Sequence, residues 1–326
     1  MNTTRRTLLG SSLALPFIAR DAFAQGAYPN APIRMIVPFA AGGTADIFAR
    51  FVAEHLRTSL GRPVVVENVG GAGGMVGITQ LARANPDGYT IGLASTSSLA
   101  INPILSKATI TYKVEDLAPI SQIATVPNVL AVNPGKIPAK TVPELIAYLK
   151  SKPDQVTYGS AGVGTSQHLA AELFQQMAGV SMVHVPYRGS SQMVPDLLSG
   201  TVELTFDNVP LILPYAKEGK LRFLATATPQ RADFDKNLPA VSEFLPGFEA
   251  TAWHGFLAPA KTPKPIIETL SKSIQEMMAM PATKERFAEL GATAVVSTAD
   301  DFATKIAVET KRWQDVIEAR GIKLEG

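Results

Sequence analysis

Three short stretches carry the residue types from which a binding chemistry can be built. The first, VPFAAGGTADIFAR at 37–50, runs from an apolar segment through Pro38 and the Gly42-Gly43 pair into a helical pattern. Glycine admits backbone angles that side chains exclude, and Thr44 or Asp46 stands where a helix N-cap is expected. Such a turn presents free N–H groups and the positive end of a helix dipole, so its natural guest is an anion. The same residues also suit a plain strand-to-helix turn. A later stretch, YGSAGVGTSQHLAAELF at 158–174, repeats the pattern: Ser160, Gly162 and Gly164 precede a helix capped by Thr165 or Ser166. Two such ends, one in each half of the chain, suit a ligand with two carboxylates, or with one carboxylate and a polar far end.

Candidate ligand-binding residues are therefore Phe39, Ala41, Gly42, Gly43, Thr44 and Asp46 in the first turn, with Ser160, Ala161, Gly164, Thr165, Ser166 and His168 in the second. His168 falls in the first turn of its helix, where packing within its own half competes with ligand contact. Thr96 and Ser97 follow a strand pattern and are expected to face the same cleft. In HVPYRG at 184–189, Tyr187 is placed to line the cleft, whereas Arg188 suits solvent. Asp207, just after the apolar run 202–206, either selects a hydroxyl or ammonium on the ligand or caps the next helix. Trp253 reads as core or hinge packing.

The remaining stretch, ENVGGAGGMVG at 67–77, holds five glycines in eleven residues. It is no dinucleotide fingerprint, because Val76 stands where the third glycine belongs. Close packing against the first domain is the better reading.

Other chemistries lack their residues. There is no cysteine, so disulfides, thiolate catalysis and cysteine-bound metals are excluded. The four histidines, at 55, 168, 184 and 254, have no metal-ligand spacing, and no EF-hand pattern occurs. No P-loop and no G-x-S-x-G is present. Neither metal nor cofactor is expected. A hydrolase would have to use His168 beside Ser166 or Ser160.

The elements that must position these turns alternate between short β-rich runs and helical patterns, the signature of an α/β fold with mostly parallel sheets. Strands are expected at 33–37, 64–67, 90–94, 156–159, 182–185, 202–206, 221–227 and 251–258. Helices are expected at 45–59, 75–84, 141–150, 165–178, 192–198 and 300–320. Two further strands, 121–124 and 129–132, bracket Pro127 and suggest a crossing between domains. Residues 25–124 plus 228–326 form one expected lobe and 125–227 the other, with an interlobe cleft.

Of 326 residues, 46% are hydrophobic and 18% charged, the balance of a folded globular protein. Residues 1–24 read as an export signal. Arg5-Arg6 precede the apolar stretch 8–18, Ala22-Phe23-Ala24 offers a cleavage site, and the paired arginines suit the twin-arginine route. An ordinary secretory signal carrying two arginines fits as well. Removing Arg5, Arg6, Arg20 and Asp21 takes 30 basic and 28 acidic residues to 27 of each. A mature chain with no net charge gives no reason to expect nucleic acid. The apolar stretch is too short to span a bilayer, so the expected compartment is the periplasm.

VPFAAGGTAD at 37–46, ENVGGAGG, PDGYT at 86–90, GSAGVGTSQHLAAE at 159–172 and VPYRG at 185–189 occur in this order. Together they resemble the Bug-type receptors, the periplasmic substrate-binding components of tripartite tricarboxylate transporters. That resemblance implies a two-lobed Venus flytrap of the type II periplasmic-binding-protein class. It also implies one carboxylate on the loop Phe39–Thr44, with the ligand's other end near Ser160–His168. Main-chain amides and ordered water would do most of the holding, while Asp46 supports the loop. Further implied are a small carboxylate ligand (a di- or tricarboxylate, acidic amino acid or aromatic acid), integral membrane subunits as partners, a monomer, and no enzymatic activity. A ligand-presenting sensor for a two-component system, or a periplasmic hydrolase, stands as the alternative.

Overall fold

The computed structural model describes residues 28–322, and the export segment expected at 1–24 lies outside the described residues. In chain order the elements begin with β1 (Ile33–Val37), α1 (Thr44–Leu60), β2 (Val64–Asn68), α2 (Met75–Ala82), β3 (Thr90–Ser95) and α3 (Asn102–Leu105). They continue with β4 (Leu117–Val126), β5 (Asn128–Val132), α4 (Val142–Ser151), β6 (Thr157–Ser160), α5 (Ser166–Ala178), β7 (Val183–Pro186) and α6 (Ser190–Ser199). The remainder comprises β8 (Leu204–Asn208), α7 (Val209–Lys217), β9 (Arg222–Thr226), β10 (Ala252–Pro259), α8 (Lys264–Ala279), α9 (Pro281–Glu289), β11 (Thr293–Ala294) and α10 (Ala299–Arg320).

Two sheets result. The first has the order β11-β4-β10-β3-β1-β2, the second β7-β6-β8-β5-β9. Both are mixed, which corrects the expectation of mostly parallel sheets. Pairs β1–β2, β1–β3, β6–β7 and β6–β8 are parallel, but β10 runs antiparallel to β3 and β4, and β5 antiparallel to β8 and β9. Strands that arrive from the other sheet enter without the βαβ crossover that would make them parallel.

Pro127 is where the chain changes sheet. Proline has no N–H for a ladder, so β4 stops at Val126 and β5 begins at Asn128. The return path runs beside it. Ala227 N–H donates to the Asn128 carbonyl at 2.8 Å, and Ala250 N–H to the Ala227 carbonyl at 2.8 Å. Asn128 Nδ2 donates to the Ala250 carbonyl at 2.7 Å.

Each sheet buries its apolar strands under helices. Against the first, α1 sets Phe48, Val52 and Leu56 inward, and Phe48 stacks on Phe287 with ring centres 4.9 Å apart. Against the second, α5 buries Leu169, Leu173 and Phe174. Helix α10 packs on β4, while the Arg320 carbonyl at its far end accepts from Gln176 on α5. One apolar cluster therefore holds residues of both halves, Ile36 of β1 and Trp313 of α10 with Phe174 of α5 and Phe206 of β8. No helix among the described residues is long and apolar enough to cross a membrane.

Candidate functional site

Loops from the facing ends of the two sheets meet around one narrow cavity of about 30 Å³, room for one or two water-sized bodies. From the first sheet come the turn after β1 (Phe39, Ala40, Gly43, Thr44, Ala45), Ser95 at the end of β3 and Ser97 just beyond it, and Ala252 and His254 of β10. From the second come Ala161, Ser166, Gln167, Ser190 and Asn208. No lysine or arginine is among them.

Helix α1 opens toward this cavity uncapped. Its N-cap residue is Gly43, with no side-chain bond to the first turn, so the unpaired N–H groups of that turn remain for a guest. Helix α5 differs from expectation. Thr165 Oγ1 accepts from His168 N–H at 3.3 Å, Ser166 N–H donates across to Ser97 Oγ at 3.0 Å, and Gly164 N–H donates to His168 Nδ1 at 3.2 Å. The second helix end is largely closed by the protein's own atoms.

Asp46 builds the first turn from behind. It is 4% exposed, and it accepts from Gly42 N–H at 2.9 Å, Arg50 Nε at 2.9 Å and Asn68 Nδ2 at 3.0 Å. Burial alone would raise its pKa, but these hydrogen bonds and the Arg50 charge hold it below the usual carboxylate range. Asp46→Ala would leave Gly42 N–H without its acceptor and Asn68 Nδ2 with the Phe39 carbonyl alone, at 3.1 Å. We expect it to cost roughly 2–3 kcal/mol in urea unfolding.

Of the residues expected at the site, Phe39, Gly43, Thr44, Ser97, Ala161 and Ser166 line the cavity; the others stand off it. Ala41 and Gly42 are exposed at the rim, where the Ala41 carbonyl accepts from Ser191 Oγ of the second half at 2.8 Å. Thr96 Oγ1 is spent accepting from Trp253 N–H at 2.9 Å. Gly164 and Thr165 shape the turn. Tyr187 points to Asp196, donating at 2.6 Å.

His168 is buried in a stack with His184, ring centres 4.2 Å apart, and with Tyr158; desolvation pushes its pKa down to about 4. Ser160, wholly buried, pairs with His184 Nε2 at 2.7 Å rather than with His168, and also bonds Gly162 N–H at 3.1 Å. Ser160 is not among the residues that line the interlobe cavity, whereas His184 and His168 border a separate recess beside the end of α10.

Asp207 lies within β8 rather than after it, because the strand runs two residues later than expected. It is wholly buried directly behind the cavity wall. Ser190 Oγ donates to its Oδ1 at 2.7 Å, and burial pushes its pKa up to about 6.

Sequence reasoning missed Ser95, Gln167, Ser190, Asn208 and His254. Three buried polar atoms on the cavity's first-sheet side make no hydrogen bond among the described residues: Thr44 Oγ1, Ser95 Oγ and His254 Nδ1. His254 is 3% exposed, and desolvation lowers its pKa to about 4, so the ring is neutral and offers one donor and one acceptor. Ser95 was legible in principle, since the carboxyl ends of parallel strands border such crevices. His254 was not, because only the β10–β3 pairing sets it opposite Ser95.

Residues 48–322 match the tripartite tricarboxylate transporter family receptor. This chain belongs to that family. The receptor is 39% identical to Protein BugT of Bordetella pertussis over the full length of both chains. Among solved structures, Rpa4515 of R. palustris with adipate is 33% identical, covering 91% of this receptor and 99% of that chain at a TM-score of 0.88. MatC of Rhodopseudomonas palustris with bound malate is 28% identical, covering 89% and 100% at a TM-score of 0.84. The five ordered motifs and the two-lobed fold agree with these likenesses.

Proposed function

We propose that this receptor captures a small organic carboxylate between its two sheets, in the periplasm, and hands it to the integral membrane subunits of a tripartite transporter. The observation that carries the reading is the convergence of an uncapped helix end with three unpaired buried polar atoms on one cavity that no basic side chain lines. An anion held by main-chain N–H groups and hydroxyls needs no fixed cation. The adipate- and malate-bound relatives support the same ligand class.

The cavity lies between the two halves, so ligand enters after they separate about the crossing strands and closes them by binding the closed form better. The separating lobes are 25–124 plus 228–326 and 125–227. The functional unit is a monomer, exported on the 1–24 leader by the twin-arginine route.

A thermal-shift series of carboxylates on refolded, ligand-stripped mature protein tests this. A cognate ligand at about 100 times its Kd should add roughly 2.7 kcal/mol of stability. No shift with any di-, tri-, amino- or aromatic carboxylate overturns the reading.

A further inference from the structure

Hydrogen-bond polarity on the second sheet's side of the cavity is fixed from the crossing strands inward. A backbone carbonyl only accepts, so the Ala250 carbonyl orients the Asn128 amide, which donates to it at 2.7 Å. Asn128 Oδ1 then accepts from Asn208 Nδ2 at 2.7 Å. Asn208 Oδ1 is thereby turned to Gln167 Nε2 at 3.5 Å, and the same nitrogen donates to Asp207 Oδ1 at 3.3 Å. Gln167 keeps only its Oε1, where Ser166 Oγ donates at 3.3 Å. Ser190 has spent its single proton on Asp207 at 2.7 Å.

What Ser190 and Gln167 still offer is lone pairs, backed by a wholly buried carboxylate whose Oδ2 makes no hydrogen bond among the described residues, while Asn208 Nδ2 keeps one proton beyond the one it gives Asn128. Helix α6 also opens at Ser190 without a side-chain cap. Main-chain N–H groups thus serve the anion, and the side chains read whatever else the ligand carries.

We propose that this receptor selects a carboxylate bearing a hydrogen-bond donor, a hydroxyl or an ammonium group, over the unsubstituted acid. Asp207 sets the preference by holding Ser190 and Gln167 with their donors spent. The proposal rests on the carboxylate reading above and deepens it. An unsubstituted chain would bring no donor to the free lone pairs of Ser190 Oγ and Gln167 Oε1 or to the orphaned Asp207 Oδ2 behind them, the situation in which a polar site disfavours an analogue lacking the matching group. A second carboxylate placed here would meet the charge of Asp207. Asp207 acts through its neighbours and is a positioning residue.

Calorimetry on the stripped mature protein with matched sets tests it: succinate, malate and aspartate; glutarate, 2-hydroxyglutarate and glutamate; phenylacetate, mandelate and phenylglycine. In whichever skeleton binds, the substituted acid should bind at least about tenfold tighter than the plain one, and Asp207→Asn should bring the two within about threefold. Malate ahead of aspartate assigns a hydroxyl, and the reverse order an ammonium group. A plain acid binding as tightly as its substituted partners overturns the inference while leaving carboxylate capture standing. So does a ratio that survives in Asp207→Asn, because a merely structural role for Asp207 would weaken all three members alike. Should Asp207→Asn fail to fold, the wild-type ratios alone decide. Absence of binding across every set, citrate included, removes the carboxylate reading and this inference with it.

Discussion

Replacing Gly73 with alanine should weaken carboxylate binding roughly 10- to 100-fold while leaving both sheets folded. Gly73 lies in the turn between β2 and α2, and a Cβ built there falls 2.3 Å from the Val163 carbonyl oxygen of the opposite half. A carbonyl oxygen belongs to the backbone and cannot swing aside as a side-chain end would. Alanine therefore props the two halves apart at the edge of the cavity, raising the closed form in energy while sparing the open one. Ligand affinity falls by the fraction of closed form lost.

Gly73 also has φ +61°, a conformation in which alanine is strained wherever it stands. Gly219 provides the control, with φ +73° and nothing within 4 Å of the point where an alanine methyl would stand. Gly219→Ala should bear the backbone strain and keep its ligand affinity. Gly70→Ala adds a probe free of backbone strain, since Gly70 needs no positive φ, and its Cβ would lie 3.0 Å from the Arg188 carbonyl oxygen across the gap, and also 3.2 Å from Ala40 N and 3.3 Å from the Phe39 carbonyl carbon in its own half. Calorimetric Kd values for the three variants, alongside urea unfolding, separate blockade from strain. Unaltered affinity in Gly73→Ala and Gly70→Ala together would show that binding does not require these turns to touch.

That contact also marks where the sequence stopped being readable. Strands such as β1 and helices such as α1 announce themselves by an apolar run or a 3.6-residue period, and both ended within about a residue of expectation. The glycine-rich turn at 67–77 was expected to pack within its own half. Gly77 does, with a Cβ position 2.8 Å from the Pro38 Cα, but Gly73 serves the other half. Five glycines look alike in a sequence, and only the meeting of two sheets tells them apart.

The site divides along the same line. Gly43 and Thr44 were legible because a strand–glycine–helix turn is a local signal. His254, Ser190 and Asn208 reach the cavity only through pairings that span much of the chain. The expected symmetry of two anion-receiving helix ends failed for a comparably distant reason: Ser97, far from α5 in sequence, supplies the acceptor that closes it.

Acid should destabilise the protein through its buried imidazoles, and the sign follows from burial. His168 and His254 are both pushed down to about 4, and His184 to about 3 by desolvation and by its neighbour His168. An unfolded histidine titrates near 6.5. Above that pH neither state is protonated and the stability is fully present. As pH falls from 6.5 toward 4 the unfolded chain binds protons that the folded chain refuses, and stability is lost. His168 and His254 would each forfeit roughly 3 kcal/mol over that window.

Asp207 works the other way. With its folded pKa raised by burial to about 6, it takes up a proton in the folded state before the unfolded carboxyl does. It thereby returns roughly 2 kcal/mol between pH 6 and 4. The net expectation is a stability flat from pH 8 to 7 that drops by about 3 kcal/mol or more by pH 4, followed by urea unfolding at each pH. Asp207→Asn should raise the stability of the neutral-pH protein and steepen the acid decline, because the offset is gone. His254→Gln should make it shallower. Stability that holds level or climbs from pH 7 to 4.5 in the wild type would mean that the imidazoles are protonated in the folded state. The neutral His254 on which the cavity's donor and acceptor pattern depends would then have to be abandoned.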